Sequence, residues 1–104
     1  MCNARVLRLL AVVVTAAACM GQDRAAVERG RALFAPKCGF CHGNDATGKS
    51  GPDLVRSTVV LHDENGNLIG PVLRAGRPAR GMPAFAGLTD QDVSDIAVFL
   101  HSRA

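Results

Sequence analysis

An all-α domain is predicted, and three observations predict it. Apolar residues recur at helical spacing near both ends of the chain. The region between them is punctuated by Gly and Pro. A Cys-x-x-Cys-His motif, Cys38-Gly39-Phe40-Cys41-His42, follows the first helical segment. A length of 104 residues suits one domain, and a hydrophobic fraction of 48% is ordinary for a globular chain. Trp and Tyr are absent, which leaves Phe34, Phe40, Phe85 and Phe99 as the large core candidates.

The first residues read as a targeting segment. Arg5 and Arg8 precede an apolar run over 9–18 that is too short to span a membrane, which takes about 20 residues. Ala16-Ala17-Ala18 then offers an A-x-A cleavage site, so residues 1–18 are read as a signal peptide and 19–104 as the working domain. Cys19 is a candidate lipidated first residue. Thr15-Ala16-Ala17-Ala18-Cys19 resembles a lipobox, with Ala16 where Leu is usual; the alternative is plain cleavage nearby. Cys2 falls within the leader.

A helix is expected from Gln22, with Asp23 as N-cap and Val27, Gly30, Leu33 and Phe34 on its core face. Gly30 costs an isolated helix about 1 kcal/mol relative to Ala, so close approach of another helix is its expected reason. Pro36 should end or kink the helix.

The Cys38–His42 motif is the signature of covalent attachment of a c-type haem. Two thiols at this spacing can add to the two vinyl groups on the porphyrin. The adjoining imidazole then falls beneath the iron. A bare C-x-x-C is also open to a zinc half-site or a redox dithiol. No second ligand pair and no βαβ pattern supports either, and His42 decides for haem.

Residues 43–51 form a Gly-rich loop leading into Gly51-Pro52-Asp53-Leu54. The Pro52 carbonyl can accept a bond from the far nitrogen of a metal-bound imidazole and so fix its orientation. In 57–71, Asn65-Gly66 between apolar runs signals a short β-hairpin, with an irregular loop as the alternative. His62 is expected to be an exposed turn residue. A short helix over 71–75, with Pro71 in its first turn, precedes Gly76, Pro78 and Gly81. Met82 then sits in Gly81-Met82-Pro83-Ala84-Phe85, a loop suited to place a thioether over the opposite face of the haem. The last helix is capped by Thr89 with Asp92, and carries Val93, Ile96, Ala97 and Leu100 as its stripe, Phe99 beside it and His101 near its exposed end.

Without Arg5 and Arg8, ten basic residues face nine acidic ones, which argues against nucleic-acid binding. Arg74, Arg77 and Arg80 cluster beside the Met82 loop, and Asp90, Asp92 and Asp95 cluster in the last helix.

Together these motifs resemble a small bacterial class I cytochrome c, over residues 23–104. The residues that carry the resemblance are Gly30-x-x-x-Phe34, Cys38–His42, Gly51–Leu54, Gly81–Phe85 and the Asp95-to-Leu100 helix. The resemblance implies a cytochrome c fold, with first and last helices crossing at Gly30 and Phe99 and short helices and loops wrapping one haem. It implies Cys38 and Cys41 as attachment points, His42 and Met82 as axial ligands and Pro52 behind His42. Phe99 departs from the family's frequent Tyr or Trp, and the hairpin expected in 57–71 puts a middle helix of many members in question.

With both axial positions filled, the expected function is single-electron transfer by an exported mono-haem cytochrome, not catalysis. The alternative is a dedicated haem subunit of a larger periplasmic oxidoreductase. A sensor or enzyme would need a labile sixth site, which Met82 disfavours. Arg74, Arg77 and Arg80 are the expected docking cations for an acidic redox partner. Cys19, where lipidated, is the candidate point of membrane anchoring.

Overall fold

The structure is a computed structural model that describes the backbone of residues 9–104 and the side chains of 21 and 23–104. Arg5, Arg8, Cys2 and the side chain of Cys19 lie outside the described residues. Among the described residues, four α-helices run in order: α1 (Leu9–His42), α2 (Thr58–His62), α3 (Ile69–Ala75) and α4 (Asp90–Arg103), with a 3-10 turn at Pro78–Arg80. No strand is present among the described residues; Arg77 and Met82 form one isolated antiparallel bridge. The all-α expectation is met.

The core lies where α1 crosses α4. Gly30 permits that crossing, because a Cβ there would stand 2.0 Å from the Asp95 carbonyl oxygen and 2.7 Å from the Phe99 Cβ. Phe34 and Phe99 pack edge to face beside it, with centroids 5.2 Å apart. Val93, Ile96, Ala97 and Leu100 are buried as the helical stripe requires. Phe99 is fully buried, so a phenyl ring with no polar atom fits where a hydroxyl would need a partner. Arg29 grips Asp95 through Nε at 3.0 Å and Nη2 at 3.2 Å, and Gln91 donates to the same carboxylate at 2.9 Å. At the start of α4, Thr89 Oγ1 accepts the Asp92 N–H at 3.0 Å and Asp92 accepts the Thr89 N–H at 3.1 Å, the capping box read from the sequence.

Four expectations are corrected. Asp23 is no N-cap, because α1 already runs from Leu9. Of the two outcomes expected at Pro36, an end is excluded, because α1 continues through it to His42. One missing N–H inside a helix seated on α4 is outweighed by that packing. The hairpin over 57–71 is replaced by α2, a loop and α3. Asn65 and Gly66 do take positive φ, 54° and 89°, as the turn signal demands. The flanking runs coil instead of pairing, because the buried Asp63 carboxylate binds the N–H groups of Gly66, Leu68 and Ile69, each at 2.8 Å. The helical α3, which begins two residues before Pro71, therefore restores a middle helix. Phe40, finally, is 80% exposed and no part of the core.

Candidate functional site

α1 ends on the motif, and the loop after it folds back on its terminal carbonyls. Gly43 N–H reaches the Gly39 oxygen at 2.9 Å, Gly48 N–H the His42 oxygen at 2.7 Å and Gly51 N–H the Cys41 oxygen at 2.6 Å. Carbonyls that a helix end leaves without partners thus hold the loop in place. Gly51 lies so close that a Cβ on it would stand 3.1 Å from His42 Cε1 and Nδ1. That approach brings the next residue to the imidazole: His42 Nδ1 lies 2.8 Å from the Pro52 carbonyl oxygen. A carbonyl only accepts, so Nδ1 carries a proton, and in the neutral imidazole the lone pair stands on Nε2.

Cys38, Cys41, His42, Pro52 and Met82 all line one cavity of about 350 Å³. Its walls are apolar, formed by Phe34, Val60, Ile69, Leu73, Ile96 and Leu100. The charged side chains on its lining are Lys37, Arg77 and Arg80, and no carboxylate is among them. Arg74 is elsewhere: its guanidinium pairs with Asp90. Burial pushes the Cys38 thiol up to about 11, against the opposing pull of the Lys37 charge. Redox dithiols depend on a thiol shifted the other way. Among the described residues, no three His, Cys, Asp or Glu side chains are grouped to hold a metal ion.

Met82 joins this lining from the loop after α3. Arg77 and Met82 exchange both backbone bonds, at 2.9 and 3.1 Å, and Phe85 N–H returns to the Leu73 carbonyl at 2.8 Å.

Three residues carry more than the sequence reading gave them. His101 Nε2 lies 3.0 Å from Asp63 Oδ2, tying the α2–α3 loop to α4 across 38 positions. That separation hides the pair from any local pattern. Lys37 was legible as the helical neighbour of Cys38 and Cys41. Gly76, read as a helix breaker, stands where a C-terminal glycine is usual and takes φ 65°. His62 is exposed as expected, but as the last residue of α2 and not in a turn, and its Nδ1 donates to the Thr58 carbonyl at 2.8 Å.

The donor set fits a covalently held haem. Two thiols and an imidazole with a free Nε2 meet on one lining of an apolar cavity, and a thioether joins that lining from a separate loop. The three cations suit a macrocycle that carries two carboxylates.

The comparisons decide the family. The family model for cytochrome c oxidase, cbb3-type, subunit III matches residues 25–100. The chain belongs to this family. It is a small c-type cytochrome domain with an all-α cytochrome c fold, and its cofactor is covalently bound haem c. It is 35% identical over 85 residues to the cbb3-type cytochrome c oxidase subunit FixPc of Rhizobium leguminosarum bv. viciae, covering 77% of this chain and 29% of that protein. It is 35% identical over 80 residues to subunit FixP of Sinorhizobium medicae, covering 73% and 27%. Subunit CcoP of Rubrivivax gelatinosus is 31% identical over 84 residues, covering 80% and 28%. The chain thus spans less than a third of the length of these relatives. No solved structure matches it significantly. Among the described residues, no helix of this cytochrome domain is long and apolar enough to cross a membrane.

Proposed function

We propose that this cytochrome domain is the dedicated haem unit of a larger oxidoreductase of the cbb3 type, passing single electrons within that assembly. This is the alternative of the sequence reading, preferred now over a free carrier. The relatives carry the preference, because those named above are cbb3-type oxidase subunits.

Haem iron supplies a one-electron ferric–ferrous couple at this site. Cys38 and Cys41 would anchor the group through thioether bonds. His42 would hold its iron through Nε2, with Nδ1 donating to the Pro52 carbonyl at 2.8 Å. A bond of that kind orients an imidazole and raises its basicity. Met82 would hold the iron through its sulfur. With His42 and Met82 both engaged, water and small substrates would be kept off the metal. Met and His ligation together would also raise the reduction potential.

Arg77 and Arg80, which line the cavity, steer an acidic partner face toward it. Arg74, expected to join them, contributes less because it already neutralises Asp90. The domain works outside the cytoplasm after removal of residues 1–18. Cys19 is the candidate lipid anchor, and the intact mass of the exported protein separates a lipidated Cys19 from a plain processed end.

The test is affinity purification of the tagged, exported protein from gently solubilised membranes. Co-elution with a larger haem-containing catalytic subunit in fixed proportion supports the proposal. Recovery as a lone haem protein from the soluble fraction returns the reading to a diffusible carrier.

A further inference from the structure

We infer that Gly76 is the positioning residue for Met82, closing a backbone clasp that keeps the sixth iron position shut. The inference rests on the reading of Met82 as an axial ligand.

α3 ends at Ala75, and Gly76 donates its N–H to the Val72 carbonyl at 2.8 Å. Its φ of 65° with ψ of −169° belongs to a region that glycine alone enters at low cost. The space around it is closed as well. A Cβ at Gly76 would stand 2.6 Å from both the carbonyl carbon and the oxygen of Pro83, and 2.7 Å from the Ala84 nitrogen. The Pro83–Ala84 peptide, one residue beyond Met82, therefore lies against the bare Cα of Gly76.

This turn lets Arg77 and Met82 face each other and exchange N–H···O bonds of 2.9 and 3.1 Å. Between them the 3-10 turn and Gly81, at φ 80° and ψ 7°, reverse the chain. The bond from Phe85 to Leu73 fixes the exit of the loop. α3 is itself seated on α4, since a Cβ on Gly70 would lie 3.2 Å from a Val93 methyl. Main-chain bonds thus fix the backbone on both sides of Met82 without help from its side chain.

That matters for the ligand chemistry. A single soft thioether bond is a weak organiser of a Gly- and Pro-rich loop. If the loop were free, its ordering would count against ligation, and small ligands would compete for the iron. A loop already in place removes that cost. Gly76 thereby decides between a closed electron-transfer site and an open one.

The test compares the haem-loaded full chain with its Gly76→Ala variant. Gly76→Ala should keep covalent haem and helical content. It should lose most of the weak long-wavelength absorption band that marks Met ligation in ferric proteins of the family. It should also lower the midpoint potential and bind carbon monoxide in the ferrous form at least about tenfold more tightly, the equilibrium equivalent of 1.4 kcal/mol. Gly87→Ala serves as comparison: it lies beyond the Phe85 bond and nothing lies within 4 Å of its Cβ position, so the band should remain. A Gly76→Ala protein with wild-type band, potential and carbon monoxide affinity overturns the clasp alone. A wild type without the band removes the Met82 reading and the clasp with it. Should Gly76→Ala fail to accumulate, amide exchange on the wild type decides. Arg77 and Met82 N–H groups that exchange at least about tenfold more slowly than unprotected loop amides sustain the clasp. Unprotected exchange at both overturns it.

Discussion

At the scale of single residues, the site depends on where protons and lone pairs stand. In the neutral His42 ring the lone pair stands on Nε2, because Pro52, 2.8 Å from Nδ1, can only accept. Met82→Ala should leave haem attached and abolish the Met-specific band. It should also lower the midpoint potential by on the order of 100 mV, roughly fiftyfold in relative stabilisation of the two oxidation states at 59 mV per tenfold. A redox titration of the variant measures this. The thiols make a separate prediction. In the Cys38→Ala, Cys41→Ala double variant, acid–acetone extraction should remove all haem that the chain retains. Haem that resists extraction in that variant would mean attachment elsewhere.

At the scale of elements, α1 and α4 define the fold through one close crossing. Gly→Ala in an exposed helix stabilises by about 1 kcal/mol. At Gly30 the sign should invert, because the added methyl overlaps the Asp95 carbonyl. A loss of about 1–3 kcal/mol is expected in denaturant melts of the holo protein, as for other overpacked contacts. The same junction carries an acid-sensitive contribution. The hydrogen bond from Arg29 holds the Asp95 carboxyl below its usual range, against burial, with help from Gln91. Burial alone would push Asp63 up, but the N–H groups of Ile69, Gly66 and Leu68, with His101, outweigh it and hold it low. In both cases the unfolded chain binds the proton more readily. This part of the stability is therefore complete above the ordinary value of 3.8 and is lost as pH falls through the lower folded values. Melts at stepped acid pH should show it, and Asp95→Asn should flatten the dependence. The capping box and the Gly30 crossing were legible because each is a local pattern or a residue type with one cheap explanation. The fate of 57–71 was not. Asn65-Gly66 reported its own dihedrals correctly, yet Asp63 and its long-range partner His101 decided what the flanking residues became.

At the scale of the whole molecule, the distribution of charge matters more than its sum. Arg29, Arg31 and Arg74 are each paired with a carboxylate. Lys37, Arg77 and Arg80 line the cavity instead, with no carboxylate partner among the described residues. Arg77→Glu with Arg80→Glu should slow electron transfer to an acidic partner several-fold at low salt, and the difference should shrink as the screening length falls to about 10 Å near 0.1 M. Arg74→Glu should do less. Stopped-flow rates over a salt series check both, and equal effects at all three positions would contradict the pairing argument. The sequence motif already named Cys38, Cys41 and His42 as one unit. Pro52 and Met82 could be proposed from their loops, but their place on one cavity lining needed the folded chain. The central claim is a His42- and Met82-ligated electron-transfer haem. A spectroscopic redox titration of the purified, exported protein tests it most directly. A single one-electron transition, with the Met-specific band in the ferric form and no carbon monoxide adduct of the ferrous form at neutral pH, is the expected result. A ferric spectrum without that band, with ready carbon monoxide binding on reduction, would contradict it.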